Sequence, residues 1–228
     1  MGRNARDISC QLVASGRKGL IPVKIAILGG SGKLGQAFAA RLRQTGHEVA
    51  IGSRDPSKAK EAAAKAGPSV RGMTNNDAAQ WSEMAIVSVP YAGHHSLFES
   101  LKEALNGKVI IDATVPIDPE NIFQIKTASG KSAAEETAAI VRGAYVFAAF
   151  QTISHRVLRQ PDVSHDVLVA GAPARKAEVL DLIRSIGLRP IDAGALEVAG
   201  HLERLTVLLL SINKANHIKE SGIKITGV

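Results

Sequence analysis

Apolar and polar positions divide the chain into short, almost wholly apolar runs and longer segments with a helical period. Residues 23–28, 48–52, 84–89 and 108–112 are the apolar runs. Strands buried on both faces of a parallel sheet have this pattern. Between them, 33–45 places Leu34, Phe38 and Leu42 one turn apart, and Gly46 closes the segment. Residues 57–65 are alanine-rich and stop at Gly67-Pro68, 70–73 form a short strand, and 76–81 and 96–105 read as helices. Strands alternating with helices predict an α/β fold, a Rossmann-type doubly wound parallel sheet, over about 23–115.

The second half predicts fewer elements. Ser132 and Glu135 form a capping box that opens a helix to 141. Strands follow at 145–150, 166–170 and 188–192, with a helix over 174–186 that turns Val179, Leu182, Ile183 and Ile186 to a core. A last helix over 197–218 is strongly apolar through 205–212. A helix of that kind is buried in a core or a subunit interface, which suggests a homodimer. Residues 116–131 contain prolines and show no period; they are expected to form a loop covering the site. No proline-rich linker separates the halves, so 116–228 should be a smaller packed C-terminal portion. Residues 1–22 carry four basic side chains and one short apolar patch, and are expected to be a flexible extension.

Composition narrows the partners. The 228 residues carry a formal net charge of +7, but only 4% are aromatic. Stacking platforms for single-stranded nucleic acid are therefore poor, and anionic small molecules are the better fit. Cys10 is the only cysteine, which excludes an intrachain disulfide or a cysteine-based metal site and fits a cytoplasmic protein. No apolar run reaches the roughly 18–20 residues of a membrane span, so no membrane partner is expected.

The candidate chemistry begins at the end of the first strand, in Gly30-x-Gly32-x-x-Gly35. Three glycines at this spacing, between a strand and a helix, serve a tight turn, close approach of a pyrophosphate and close helix–strand packing. Ser31, Lys33 and Leu34 complete the turn, and the helix N-terminus offers free N–H groups to phosphates. The second strand ends in Ser53-Arg54, where an acidic residue would select NAD. A hydroxyl and a guanidinium there suit a 2′-phosphate instead, with Lys58 one turn further on, so NADP is expected. The competing reading gives Asp55-Pro56 the opening of a helix, with solvated charges around it. Tyr91 and the pair His94-His95 follow the fourth strand; no carboxylate set matches them as metal ligands, and both histidines read as helix-surface residues. Asp112 ends the fifth strand without an evident partner and reads as a structural carboxylate.

Several stretches together resemble the NADPH-dependent reductases of coenzyme F420, an 8-hydroxy-5-deazaflavin. They are 24–35, 46–54, 132–136, 148–153, 192–194 and 205–228, the last with Gly-Ile-Lys-Ile-Thr-Gly near its end. The resemblance implies hydride transfer between NADP(H) and coenzyme F420. It places the pyrophosphate on Ser31, Gly32, Lys33 and Leu34 and the 2′-phosphate on Ser53, Arg54 and Lys58. It sets Tyr91 and His95 beside the nicotinamide. Val115, the Gln151–His155 stretch and Ser221 would line the deazaflavin pocket. Where the family usually shows His or Asn, this chain has Gln151, which hydrogen-bonds but cannot act as an acid near neutral pH. Gln151 and Thr152 are then expected to orient the ring, with no acid–base residue. Two alternatives stay open: an NADP-dependent reductase of a flavin, quinone, imine or carbonyl, and a non-catalytic NADP-sensing protein.

Overall fold

The computed structural model describes residues 22–163 and 165–228; apart from Pro22, the expected N-terminal extension lies outside them. Eight strands form one sheet: β1 (Lys24–Leu28), β2 (Glu48–Ser53), β3 (Val70–Thr74), β4 (Met84–Val87), β5 (Val109–Asp112), β6 (Tyr145–Ala149), β7 (Asp166–Gly171) and β8 (Arg189–Gly194). Their order is β3-β2-β1-β4-β5-β6-β7-β8. The direction of winding reverses between β1 and β4, the switch point at which open α/β sheets bind ligands.

Seven α-helices accompany these strands among the described residues: α1 (Lys33–Leu42), α2 (Pro56–Ala66), α3 (Asn75–Trp81), α4 (His94–Leu105), α5 (Ala133–Ile140), α6 (Lys176–Ser185) and α7 (Ala199–Ala215). They cover both faces of the sheet. Because successive strand residues point to opposite faces, Ile25 and Ile27 pack with Phe38, Leu42 and Ala59 of α1 and α2, while Ala26 and Leu28 pack with Phe98, Leu101 and Leu105 of α4. Val179 and Ile183 of α6 join the first layer, and Leu202 of α7 joins the second. This double coverage explains why the central strands are apolar throughout.

The sheet runs without a break across residue 115, since β6 pairs with β5 in parallel. It then departs from the expected parallel order: β7 is antiparallel to β6, and β8 is parallel to β7. Only residues 150–165 join β6 to β7, and the described ones among them contain one short 3-10 turn, Val157–Arg159, rather than a crossover helix. A parallel return needs such a crossover; an antiparallel one does not.

The two halves are also tied by a side chain. Arg41 of α1 donates through Nε to the Ile186 carbonyl (2.5 Å) and through Nη1 to the carbonyls of Leu158 (3.1 Å) and Gln160 (2.6 Å). The last helix is buried along one face and exposed along another. Ala199, Leu202, Glu203 and Leu209 of α7 are buried, but Leu208 is 53% exposed and Ile212 36%. The core therefore takes only one stripe of this apolar helix.

Candidate active site

The glycine turn follows from close packing. Gly29 has φ +68°, a left-handed conformation that suits glycine. A Cβ on Gly35 would lie 2.3 Å from the Gly30 Cα, so helix α1 sits directly on the turn. A Cβ on Gly32 would meet nothing within 4 Å. Packing thus dictates the outer glycines, whereas the middle one faces open space that a ligand can approach. The Gly30 N–H is bonded to the Gly52 carbonyl of β2 (3.0 Å), and Gln36 Nε2 donates to the Ser31 carbonyl (2.9 Å), so the turn is held from both sides. No side chain caps α1, and no acidic residue lies in its first turn. Its free N–H groups and positive dipole end suit a pyrophosphate.

From the turn a cavity of about 650 Å³ runs along the carboxyl ends of β1, β2, β3 and β4. Ser31, Gly32, Ser53, Arg54 and Lys58 line it together. Arg54 and Lys58 are exposed at its wall, whereas Ser53 is buried and accepts from the Asp55 N–H through its Oγ (3.2 Å). The Asp55 carboxylate caps α2, accepting from the N–H groups of Ser57 (2.9 Å) and Lys58 (3.3 Å). The carboxylate is thus committed to the helix, while Arg54 and Lys58 stand at the cavity.

Beyond β4, the α4 wall of the cavity is made by Gly93, Ser96, Leu97, Ser100 and Leu101; His95 is exposed and is not among them. His94 corrects the sequence reading. It is fully buried, with Nε2 2.8 Å from Asp112 Oδ2 and its ring edge-on to Phe98 at 4.8 Å. His94, Leu97, Phe98, Leu101 and Leu105 share one helical face, a period the sequence already contained.

Asp112 likewise has partners. Thr137 Oγ1 donates to its Oδ2 (2.7 Å), and the Thr114 N–H donates to its Oδ1 (2.9 Å). Burial alone would raise this carboxyl, but the bonds from His94, Thr137 and Thr114 outweigh it and hold it below the usual carboxylate range. The main-chain carbonyl of Asp112 accepts from Gln151 Nε2 (2.8 Å).

Gln151 is reached through a strained turn. Phe150, at the end of β6, has φ +73° and is buried edge-on against Phe38 (4.9 Å). A positive φ is costly for an aromatic residue and persists only where its surroundings fix it. Here Phe38, the Asp112 carbonyl and Thr206 of α7 do so, the last by donating to the Gln151 carbonyl (2.8 Å). Gln151 Oε1 and Thr114 Oγ1 are both buried and have no partner among the described residues. Thr152 and His155 follow, half-buried. Ser221 donates to the Leu209 carbonyl (3.3 Å), one turn beyond Thr206 on α7, and Val115 lies just past Thr114. The tail is pinned further on, where the Ile223 carbonyl accepts from the Asp166 N–H (3.0 Å).

Tyr91 has a different set of contacts. Its hydroxyl donates to Glu136 Oε2 (2.9 Å) and accepts from the Ala128 N–H (3.0 Å), fastening the 116–131 loop to α5. Burial raises its phenol above the ordinary value. A larger cavity, about 970 Å³, lies near the first residues of β7 and β8, and none of the candidate site residues lines it. Among the described residues, no helix is long and apolar enough to cross a membrane, and no group of three or more His, Cys, Asp or Glu could hold a metal ion.

Residues 24–116 match the family profile described as NADP oxidoreductase, coenzyme F420-dependent. The chain is 40% identical over 226 residues to the F420-dependent NADP reductase of Methanothermobacter marburgensis, covering 90% of this chain and 99% of that one. This chain belongs to the F420-dependent NADP reductase family. Among solved structures, a protein of Arthrobacter sp. FB24, described provisionally as an F420 dependent NADP-reductase, superposes with a TM-score of 0.81 at 26% identity over 90% of this chain and 99% of that one. An imine reductase of Streptomyces aurantiacus shares the fold at 21% identity and a TM-score of 0.62, covering 82% of this chain and 60% of that one.

Proposed function

We propose that this protein is an oxidoreductase that transfers a hydride reversibly between NADP(H) and coenzyme F420. Its likeness to a named F420-dependent NADP reductase over nearly the whole length of both chains carries this reading. The cavity with an open Gly32 at one end and Arg54 and Lys58 at its wall supports the NADP half. When bound, the nicotinamide and deazaflavin rings supply the hydride donor and acceptor. The protein's task is to bring them together at short range and keep water away.

The N–H groups at the start of α1, from Lys33, Leu34 and Gly35, hold the pyrophosphate. Arg54 and Lys58, with the Ser53 hydroxyl, hold the 2′-phosphate. Gln151 presents its Oε1 to the second ring, because its Nε2 is committed to the Asp112 carbonyl. A fixed acceptor of this kind orients a ring and transfers no proton. Thr152, Val115, His155 and Ser221 complete that pocket, while Tyr91 and His95 flank the nicotinamide side. Tyr91 does so by anchoring the 116–131 loop, since its hydroxyl is committed to Glu136 and Ala128. Imine or carbonyl reduction has only the shared fold behind it.

The test is spectrophotometric: purified protein, NADPH and oxidised coenzyme F420 are mixed, and the deazaflavin absorbance should fall. Binding of NADPH with no change in that absorbance, together with reduction of a flavin, quinone or imine, would overturn the reading. Arg54→Ala should weaken NADPH binding by about tenfold to a hundredfold, the worth of one or two charge-assisted hydrogen bonds, and leave NADH almost unchanged. Equal losses for both cofactors would remove the 2′-phosphate role. The reading extends to a cytoplasmic homodimer. The exposed Leu208 and Ile212 of α7 offer an apolar face, and Cys10 fits a reducing compartment. Sedimentation as a monomer would remove the dimer.

A further inference from the structure

Asn75 is a residue that the motif reading did not touch. It is the first residue of α3, only 8% exposed, and lines the cavity between the glycine turn and the Ser53-Arg54 corner. Its Oδ1 accepts from the Gly29 N–H (3.0 Å) across a sequence separation of 46 residues. A Cβ on Gly52 would lie 2.8 Å from that same oxygen, so the amide packs flush against β2 just before Ser53.

This contact settles the orientation of the amide. A main-chain N–H can only donate, so the oxygen of Asn75 must face Gly29 and the nitrogen must point away from it. That nitrogen makes no hydrogen bond among the described residues, on a side chain that lines the cavity. Asn75 therefore brings a donor, in a fixed rotamer, to a groove otherwise supplied with donors by the turn and by Arg54.

We infer that Asn75 is a cofactor-binding residue whose Nδ2 donates to an oxygen of the dinucleotide's ribose–phosphate, while its Oδ1 holds the glycine turn in shape. This rests on the reading of the cavity as the NADP(H) site. The contacted part is common to NADPH and NADH, unlike the 2′-phosphate read by Arg54. The two side chains then divide the work: Arg54 discriminates between the cofactors, and Asn75 binds both.

The experiment is a fluorescence titration of the full chain with NADPH and with NADH, beside Arg54→Ala as control. Asn75→Ala should weaken both cofactors by a similar factor, about tenfold, with KM for coenzyme F420 unchanged. Asn75→Asp keeps an acceptor for Gly29 but loses the donor and adds a negative charge, so it should weaken both at least as much while its melting temperature stays at the wild-type value. Wild-type affinity in Asn75→Asp, or loss for NADPH alone, would overturn the inference. If Arg54→Ala also leaves NADPH binding unchanged, the cavity reading itself fails; if only the Asn75 variants are silent, this inference fails by itself. Should Asn75→Ala and Asn75→Asp both fail to fold, 15N-asparagine labelling of the wild-type chain keeps the test. One side-chain amide should become protected from exchange when NADP+ is added, and no such protection would overturn the donor role.

Discussion

At the end of β1, the glycine turn is made by neighbours in sequence. Gly30 and Gly35 touch each other, Gln36 bonds Ser31, and the helix begins directly after the turn, at Lys33. At the ends of β5 and β6, the second region is made by residues far apart. Asp112 binds His94 and Thr137, and Gln151 is held by Asp112 on one side and Thr206 on the other. A phosphate can be gripped by bare main chain, so the first site needs only a shape that glycine allows. Presenting one fixed oxygen to a ring needs side chains in defined rotamers, and those rotamers come from long-range contacts. The first region takes its shape mainly from its own neighbours, with Gly52 and Asn75 bracing it from outside; the second is made almost wholly of such distant contacts.

The largest effect expected from this contrast is at Gly35. Gly35→Val drives a Cβ into the Gly30 main chain, so it should cost about 3 kcal/mol or more and abolish measurable NADPH binding. Gly32→Ala, in open space, should leave the melting temperature unchanged and weaken only the cofactor. If both variants lose stability equally, the division between packing glycines and ligand-facing glycine is wrong.

Next comes Asp112→Ala, which strips His94 and Thr137 of a shared buried partner. It should cost about 3 kcal/mol, or a fall of about 6–12 °C in melting temperature, while NADPH affinity in the folded protein changes little. Loss of NADPH binding with no loss of stability would show that the second region is not built as described. The sign for pH follows from the direction of the shift. Because the folded carboxyl lies below its ordinary range, its contribution is present above that range and disappears as the pH falls through the lowered value.

The smallest effect is at Glu203. Its Oε1 accepts from the Ala133 N–H (2.8 Å), its Oε2 is buried without a partner among the described residues, and burial pushes its carboxyl up to about 8. A carboxyl raised in the folded state binds a proton that the unfolded chain releases. Stability therefore falls as the pH rises from the ordinary carboxylate range towards about 8. Glu203→Gln keeps the bond to Ala133 and carries no charge. It should flatten that decline and raise the melting temperature at pH 8 by a few degrees. Thermal melts that stay parallel to wild type from pH 5 to 8 would refute it.

How legible each region was in the sequence follows the same line. Central strands such as Lys24–Leu28 and Val109–Asp112 are buried on both faces, and an apolar run is the direct record of that. The glycine spacing and the Ser132–Glu135 capping box are likewise local, and the box is present with both of its hydrogen bonds. The reversal at β7 left only a negative signal, a 150–165 connection without a helix. His94 could have been placed by extending the apolar period of α4 one step back to it. The partnership of Asp112 with Thr137, and of Asn75 with Gly29, left no local trace, because each joins segments that meet only through the sheet.

Arg41 carries a consequence for anyone who would take the molecule apart. The family profile stops near residue 116, which invites cutting out a minimal nucleotide-binding fragment there. Such a fragment would keep the guanidinium and discard all three carbonyls it serves, those of Leu158, Gln160 and Ile186. It would also bare the face of Phe38 that Phe150 covers. What similarity delimits as a recurring unit is, in this chain, not a unit that can be transplanted. A graft of the cofactor helix into another scaffold would have to bring replacements for partners that lie more than a hundred residues downstream.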